Sequence, residues 1–398
     1  MRHSIPHRLR LPGVVLLLFL AGLTACDQTG LPSAGIENTS TLGPTLRPEP
    51  LIPTRNSEAI ATEPVPELLT DSPTPEPVSS IIPTLTASEK QALSRFGVVG
   101  QLEDALSGAA AGIRFAHYAF WSASGELPDV PDVTWWQMVR VGQENRGSEW
   151  PGARDEVAAV LEQHPGSFWL VGNEADVRWQ DNVPAERYAE QYHDIYTFIK
   201  ARDPSAQVVA GGIALPTPLR LRYLDTVLAH YQATYGEPMP ADMWHIHTFT
   251  LREEADSWGI GIPPGMSETT GLLYEIEDHA RIDLFVEHIT NFRDWMAANG
   301  YSDKPLAITE MGILMPADYG FPIEVVGQYM RDAFDYLQTA TGENGLAADG
   351  GRLVQYWFWF ILYDPVYTTG NLFDIEQMQL TELGETYQAY LNNLPAQP

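Results

Sequence analysis

Eight short apolar runs separated by helical patterns restrict this chain to a small set of folds. The runs occur from about Ser94 to the C-terminus, and we interpret each as a β-strand. In order they are Phe96–Gln101, Phe115–Trp121, Trp136–Val141, Phe168–Val171, Gln207–Ala210, Met243–His247, Leu306–Thr309 and Val354–Phe360. Helical patterns lie between most of them, at Arg154–His164, Ala185–Arg202, Leu219–Tyr235, Leu284–Asn299 and Val325–Thr341. Eight strands that alternate with helices predict an α/β fold, the (β/α)₈ barrel.

A doubly wound open sheet is the alternative for the same alternation. That fold carries a glycine-rich phosphate turn after its first strand, and the stretch GVVGQLEDALSG does not fit the dinucleotide pattern. We therefore favour the barrel. The link between strands two and three, which contains GELPDVPDV, is short and carries prolines, so we expect no regular helix there.

The N-terminus has the features of a bacterial lipoprotein signal. A basic segment precedes the apolar run Val14–Leu20, and Leu23-Thr24-Ala25 leads into Cys26, the only cysteine of the chain. We predict a signal peptide over residues 1–25 and lipidation of Cys26, with an ordinary signal peptide as the alternative. The protein would then be exported and anchored to a membrane by acyl chains, facing the outside or the periplasm.

Residues 26–93 have the composition of an extended linker. Eleven prolines fall in this stretch, and no aromatic residue lies between Cys26 and Phe96. Such a segment cannot offset its ordering entropy by burying apolar groups, so we predict a disordered stalk followed by a catalytic domain over residues 94–398. The formal net charge of −29 argues against nucleic acid as a partner.

Two glutamates stand at the ends of predicted strands. Asn173 and Glu174 follow strand four, and Glu310 ends strand seven in the stretch KPLAITEMG. The carboxyl ends of barrel strands share one face, which carries the reactive residues. Two carboxyl groups that flank a cleft are the machinery of glycoside hydrolysis. The sequence therefore predicts that Glu174 and Glu310 face each other across the barrel mouth.

With these two motifs the chain resembles the clan A glycoside hydrolases, which are retaining (β/α)₈ enzymes. The resemblance implies that Glu174 is the acid/base, that Glu310 is the nucleophile and that Asn173 binds the sugar 2-hydroxyl. It also implies that His247 and Phe249 border the sugar, although the clan usually has tyrosine at the second position. The stretches GNEAD and ITEMG are similar to those of endo-β-1,3-glucanases in this clan.

Further residues are candidates for the cleft. The resemblance implies an aromatic floor at the end of strand eight, and we favour Trp359 over Trp357 for it. Trp121 ends strand two, and Arg140 near the end of strand three either binds substrate or forms an exposed salt bridge. The long insert from Leu251 to Ile282 lies on the same face and is suited to a cleft wall or lid.

The protonation states follow from the mechanism. The acid/base must start protonated, so we expect the pKa of Glu174 to be raised by a nearby anion, which ionised Glu310 would supply, or by apolar surroundings. His245 and His247 are two positions apart and could share a metal ion, but no cysteine or acid stands at an obvious ligand spacing. We therefore predict neither a metal nor a cofactor.

Taken together, the residues predict a monomeric, surface-tethered enzyme that hydrolyses a β-linked glycan. The alternative is a carbohydrate-binding lipoprotein that kept the barrel but lost turnover, since fold alone does not define function. The presence of both glutamates and Asn173 favours the enzyme. A substrate-capture protein for a transporter would need two lobes, which eight βα units do not predict.

Overall fold

The computed structural model describes residues 82–142 and 149–394. Its centre is a closed barrel of eight parallel strands in chain order, which confirms the predicted fold. We number the barrel strands β1 to β8: Phe96–Val99, His117–Ala119, Thr134–Val139, Phe168–Val171, Gln207–Ile213, Met243–His247, Leu306–Met311 and Tyr356–Phe360. Each predicted strand overlaps one of them.

Eight α-helices occur in the described part of the chain. We number them α1 to α8: Ala87–Leu93, Ala105–Ala110, Arg154–Gln163, Ala185–Arg202, Pro218–Tyr235, Ile282–Ala298, Ile323–Thr339 and Glu382–Asn392. The five predicted helices correspond to α3 to α7, and the link between β2 and β3 has no helix, as expected. None of the helices in residues 82–142 and 149–394 is both long and apolar enough to span a bilayer.

The folded part begins before the predicted boundary at residue 94. Helix α1 lies inside the segment predicted to be a disordered stalk, and its Leu93 is buried. A capping box stabilises its start, because Thr86 and Glu89 each accept a hydrogen bond from the backbone N–H of the other. The predicted signal peptide, the predicted lipidation site Cys26 and the predicted stalk up to residue 81 lie outside the described residues.

Aromatic side chains fill the barrel and its outer layer. Inside, Trp136 of β3 stacks on Phe168 of β4 at 4.3 Å between ring centroids, and Phe358 of β8 packs edge-on against Trp136. Outside, Trp357 packs on Phe96 and Trp359 on Phe334 of α7. The alternation of side chains along β8 therefore directs its phenylalanines inward and its tryptophans towards the helices.

Candidate active site

A strained turn at the end of β4 positions Glu174. Gly172 and Glu174 both have positive φ angles, +82° and +47°. A glutamate in this left-handed region costs on the order of 1 kcal/mol. The N–H of Glu174 donates to the carbonyl of Gly212 beyond the middle of β5, at 2.7 Å, and this bond fixes the turn. The turn leaves the carboxyl group almost buried, with 8% of the residue exposed.

Glu310 lies in β7 itself, inside the mouth of the barrel. It is 6% exposed, and its Oε1 accepts a hydrogen bond of 3.0 Å from the indole N–H of Trp121. An irregularity in the pairing of β6 and β7 sets His247 opposite Glu310. Trp121 and His247, both predicted to belong to the site, are therefore direct neighbours of this carboxylate.

His247 joins the two glutamates. Its Nδ1 lies 2.9 Å from Oε1 of Glu174 and 3.5 Å from Oε2 of Glu310. One ligand atom from each of the three residues lies within 4.8 Å of the other two. Burial alone would lower the pKa of His247, but the Glu310 and Glu174 carboxylates outweigh it and raise the pKa. A proton on Nδ1 is thus held between two acids.

The pKa of Glu310 is raised to about 7. Burial is the main cause and the Glu174 carboxylate adds to it, while His247 and the Trp121 indole oppose the shift. The expectation from the mechanism assigned the raised pKa to Glu174. The buried position in its strand raises the pKa of Glu310, whereas the expectation for Glu174 stays a prediction.

Asn173 belongs to a second network beside the glutamates. Its backbone N–H donates to Asp181 at 2.8 Å, and its side-chain amide donates to Gln180 at 3.2 Å. Arg140 donates to the other oxygen of Asp181 at 2.5 Å, and because Asp181 is buried this salt bridge is not the exposed one considered for Arg140. The side-chain oxygen of Asn173 is buried and has no partner among the described residues. It is therefore available to accept a hydrogen bond from a ligand.

These residues line a cleft of about 320 Å³ at the carboxyl end of the barrel. The cleft contains both glutamates and four more of the predicted residues, Asn173, Trp121, Arg140 and Phe249. Its remaining lining residues are Gln101, Val177, Gln180, Leu251, Ile260, Leu314, Phe360, Asp364 and Tyr367. Leu251 and Ile260 come from the insert that was predicted to form a cleft wall.

The prediction for Trp359 is wrong. This side chain is completely buried on the helix side of β8, where its indole N–H donates to the carbonyl of Gly370 at 2.9 Å. The neighbouring Phe360 lines the cleft in its place and packs edge-on against Phe249. Side chains alternate along a strand, so a choice shifted by one residue selects the opposite face.

Phe249 offers no hydroxyl group to Glu310, and it is only 2% exposed. The indole N–H of Trp121 supplies a hydrogen bond to that carboxylate. Tyr367, which the sequence did not single out, also lines the cleft; burial raises its pKa to about 12, and both glutamates add to the shift. It lies on the loop after β8, where no periodic pattern marks a residue as functional.

The possible metal ligands differ from the pair considered in the sequence. Nδ1 of His245 lies 2.8 Å from the hydroxyl of Thr309, and burial holds the pKa of this histidine well below its usual range. The group whose ligand atoms lie close together is Glu174, His247 and Glu310. Two carboxylates and one imidazole have the donor chemistry to bind a divalent cation, so the same atoms offer either metal or proton chemistry.

Comparisons with known proteins agree with this architecture. No protein-family model matches the chain, and a search of curated proteins finds no match. Among solved structures, a GH128 subgroup II endo-β-1,3-glucanase from Sorangium cellulosum is similar, with 18% identity, a TM-score of 0.50 and coverage of 76% of this chain and 100% of that chain. The corresponding enzyme from Pseudomonas viridiflava has 19% identity, a TM-score of 0.50 and coverage of 76% and 98%. The chain thus has the (β/α)₈ barrel fold of these endo-β-1,3-glucanases.

Proposed function

We propose that the protein is a glycoside hydrolase that cleaves a β-linked glycan with retention of configuration. The observation that carries the proposal is that one carboxylate oxygen of Glu174 and one of Glu310 lie within 4.8 Å of each other across the cleft. Retaining enzymes hold their two carboxyl groups about 5–5.5 Å apart, whereas inverting enzymes need about 6.5–9.5 Å to admit a water molecule. The close pair therefore favours a covalent intermediate.

In the first step Glu310 attacks the anomeric carbon while Glu174 gives its proton to the leaving oxygen. This step needs the proton on Glu174 and an ionised Glu310, whose pKa burial raises. His247 Nδ1 is within reach of both carboxylates and provides a route between them. In this scheme Glu310 loses its proton, by way of His247, when the substrate binds.

In the second step Glu174 takes a proton from water, and the resulting hydroxide attacks the glycosyl ester. The bond between the sugar and Glu310 breaks, and Glu310 leaves as a carboxylate. The indole N–H of Trp121 stabilises that charge. The unpartnered oxygen of Asn173 is suited to accept the sugar 2-hydroxyl, a contact that strengthens in the oxocarbenium-like transition state.

For the substrate we propose a β-1,3-glucan as the first candidate. The two structures of the same fold are described as endo-β-1,3-glucanases. The cleft combines the aromatic rings of Phe360 and Tyr367 with the polar side chains of Gln180 and Asp364. Aromatic faces pack against sugar C–H groups, and the polar side chains can bind hydroxyl groups.

The test is hydrolysis by the domain from residue 82 onward. Laminarin, a β-1,3-glucan, is incubated beside mannan, xylan and galactan, and new reducing ends are measured. Proton NMR of the first product distinguishes retention from inversion. We expect the β-anomer first from the wild type and no release from Glu310→Ala. Binding without release would support the alternative of a non-catalytic carbohydrate-binding protein.

Azide tests the assignment of the two roles. In a Glu174→Ala variant, an activated aryl glycoside still forms the glycosyl ester, but no base remains to activate water. Azide needs no base, so it should restore turnover and give the β-glycosyl azide. Recovery of an α-glycosyl azide in Glu310→Ala would confirm Glu310 as the nucleophile, and the reverse pattern would exchange the roles.

We also propose that the protein is exported and held on a membrane through lipidation of Cys26. The proposal depends on the apolar run before this single cysteine and on the proline-rich segment after it. The full chain should fractionate with membranes, and Cys26→Ser should move it to the soluble fraction. A soluble wild type would contradict the anchor.

A further inference from the structure

A fully buried ion cluster lies behind the turn that carries Glu174. The side chains of Asp176, Arg220 and Glu253 are all 0% exposed. Nη1 of Arg220 donates to Asp176, both to its carboxylate and to its backbone carbonyl, the latter at 2.9 Å. Nε of Arg220 lies 3.0 Å from Oε1 of Glu253.

The cluster connects the acid/base turn to the insert after β6. Asp176 stands two residues after Glu174, and Glu253 belongs to the insert. Nη2 of Arg220 donates to the insert carbonyl of Gly261 at 2.9 Å. The backbone N–H of Leu272 donates to Glu253 at 2.8 Å. One guanidinium thus binds two distant segments of the catalytic face, and it does so from the first turn of α5.

The same insert forms part of the cleft. Leu251 and Ile260 line it, and Ile260 directly precedes the glycine that Arg220 holds. One side chain therefore contacts both the segment that follows Glu174 and the insert that forms part of the cleft wall. The hydroxyl of Thr217 completes the cluster by donating to Glu253 at 2.6 Å.

The charges of the cluster argue for a role beyond packing. Two carboxylates face one arginine in a site without exposure to water, and burial raises the pKa of Asp176 against the opposing effect of Arg220. Apolar residues of similar volume often stabilise a core as well as, or better than, a buried ion pair. An arginine fork instead fixes geometry through several directed hydrogen bonds.

We propose that Arg220 is a positioning residue, which locks the Glu174 turn and the insert together so that the acid/base is aimed at the leaving oxygen. The inference rests on the proposed hydrolase function. Arg220 does not line the cleft, and it acts through Asp176 and through the insert. The residue thereby makes proton donation depend on an ordered cleft wall.

The dependence of the rate on the leaving group tests this role. A dinitrophenolate leaves without protonation, whereas a sugar alcohol needs the proton from Glu174. In Arg220→Lys we expect kcat/KM for laminarin to fall about 100-fold, since a misplacement of about 1 Å can cost that much. For 2,4-dinitrophenyl β-laminaribioside, kcat/KM of Arg220→Lys should stay within about threefold of the wild-type value, because this substrate does not need general acid catalysis.

Arg293→Lys is the matched control. Arg293 is also buried, but it lies near the opposite end of the barrel and donates to Lys304 O and to Gln355 rather than to a carboxylate. Arg293→Lys should lower kcat/KM for laminarin and for the dinitrophenyl substrate by the same factor, or should change neither. Glu253→Gln keeps the shape of the cluster and serves as a second variant if Arg220→Lys does not fold. It should show the same selective loss, with faster hydrogen exchange in residues 251–281.

The outcomes separate this inference from the proposed function. An inactive wild type overturns both the hydrolase proposal and the role that rests on it. An active wild type with equal losses on the two substrates, in whichever cluster variant folds, makes Arg220 a purely structural residue and overturns the positioning role alone. A loss confined to laminarin supports the role.

Discussion

The two ends of the barrel bury charge in different ways. Among the described residues, six of the seven buried acids lie at the carboxyl end, in strand tips or in the segments that follow the strands: Asp104, Glu174, Asp176, Asp181, Glu253 and Glu310. Asp203, after α4, belongs to the other end. A buried carboxylate costs stability unless it is well compensated, so its concentration at one end marks the place where chemistry takes precedence over stability.

The amino end satisfies its buried polar groups with neutral partners. Arg293 donates to the backbone carbonyls of Leu353 and Lys304 and to the side chain of Gln355. Burial lowers its pKa to about 10, and the charge of Asp349 opposes that shift. Asp203 accepts hydrogen bonds from the N–H groups of Gly166 and Ser205. Substitutions there should change stability, whereas those at the carboxyl end should change activity.

The largest expected effect is that of Glu310→Gln. Loss of the proposed nucleophile should reduce kcat by about 10⁴- to 10⁶-fold, which is typical of removing such a group. The thermal midpoint should stay the same or rise at pH 8, because a buried carboxylate with a raised pKa is replaced by a neutral amide. Turnover assays and calorimetry measure both. Asp203→Asn is the matched control and should lower the midpoint without changing kcat.

A second substitution at the carboxyl end is Asn173→Ala. The side-chain oxygen of Asn173 has no partner among the described residues, so its removal leaves little unsatisfied inside the protein. If it binds the transition state, kcat/KM should fall about 10²- to 10³-fold with little change in stability. The effect should vanish on a 2-deoxy substrate. An equal loss on the 2-deoxy substrate would contradict a contact with the 2-hydroxyl.

The sequence predicted the parts of the two barrel ends that carry a periodic apolar pattern. Strands and helices of the barrel follow from repeating apolar patterns, and the two glutamates follow from their place at strand tips. The sequence did not predict that Phe360 rather than Trp359 points into the barrel. Five consecutive aromatic residues hide which side chains of β8 alternate inward. Gln180 and Tyr367 lie on loops, where contacts depend on tertiary structure.

The start of the fold was missed for a related reason. Residues 82–93 lack aromatic residues, as the preceding linker does, but a local capping box and the burial of Leu93 make α1 part of the barrel domain. The partnership of Asp176 and Arg220 joins residues 44 positions apart. No local pattern indicates a contact over that separation, whereas a motif of two or three residues at a strand tip indicates its own function.

The pH dependence of stability should have opposite signs at the two ends. The pKa of Glu310 is raised from 4.5 to about 7, so its stabilising contribution is complete below pH 4.5 and is lost as the pH rises through 7. Denaturant unfolding between pH 4.5 and 8 should therefore show Glu310→Gln gaining stability relative to the wild type as the pH rises.

Asp203 should behave in the reverse way. Burial opposes the shift, but hydrogen bonds from Ser205 and from the N–H of Gly166 hold the pKa of Asp203 below its usual value of 3.8. Its contribution is present above pH 3.8 and is lost as the pH falls through the lowered pKa. Asp203→Asn should thus lose stability at neutral pH and approach the wild type in acid. Equal pH profiles for both variants would remove the distinction between the ends.

The smallest effect compares two indole N–H groups that each donate to a side chain. Trp121 donates to Glu310 at 3.0 Å, and Trp136, inside the barrel, donates to His117 at 3.2 Å. Trp121→Phe removes a hydrogen bond to a charged group, so kcat/KM should fall about tenfold. The acidic limb of the pH profile should move to higher pH, because that bond lowers the pKa of Glu310. Trp136→Phe should lower stability by about 1 kcal/mol with an unchanged profile. If both variants moved the acidic limb equally, the pKa of Glu310 at the carboxyl end would depend on the whole barrel rather than on its direct neighbours. The contrast between the two ends would then fail.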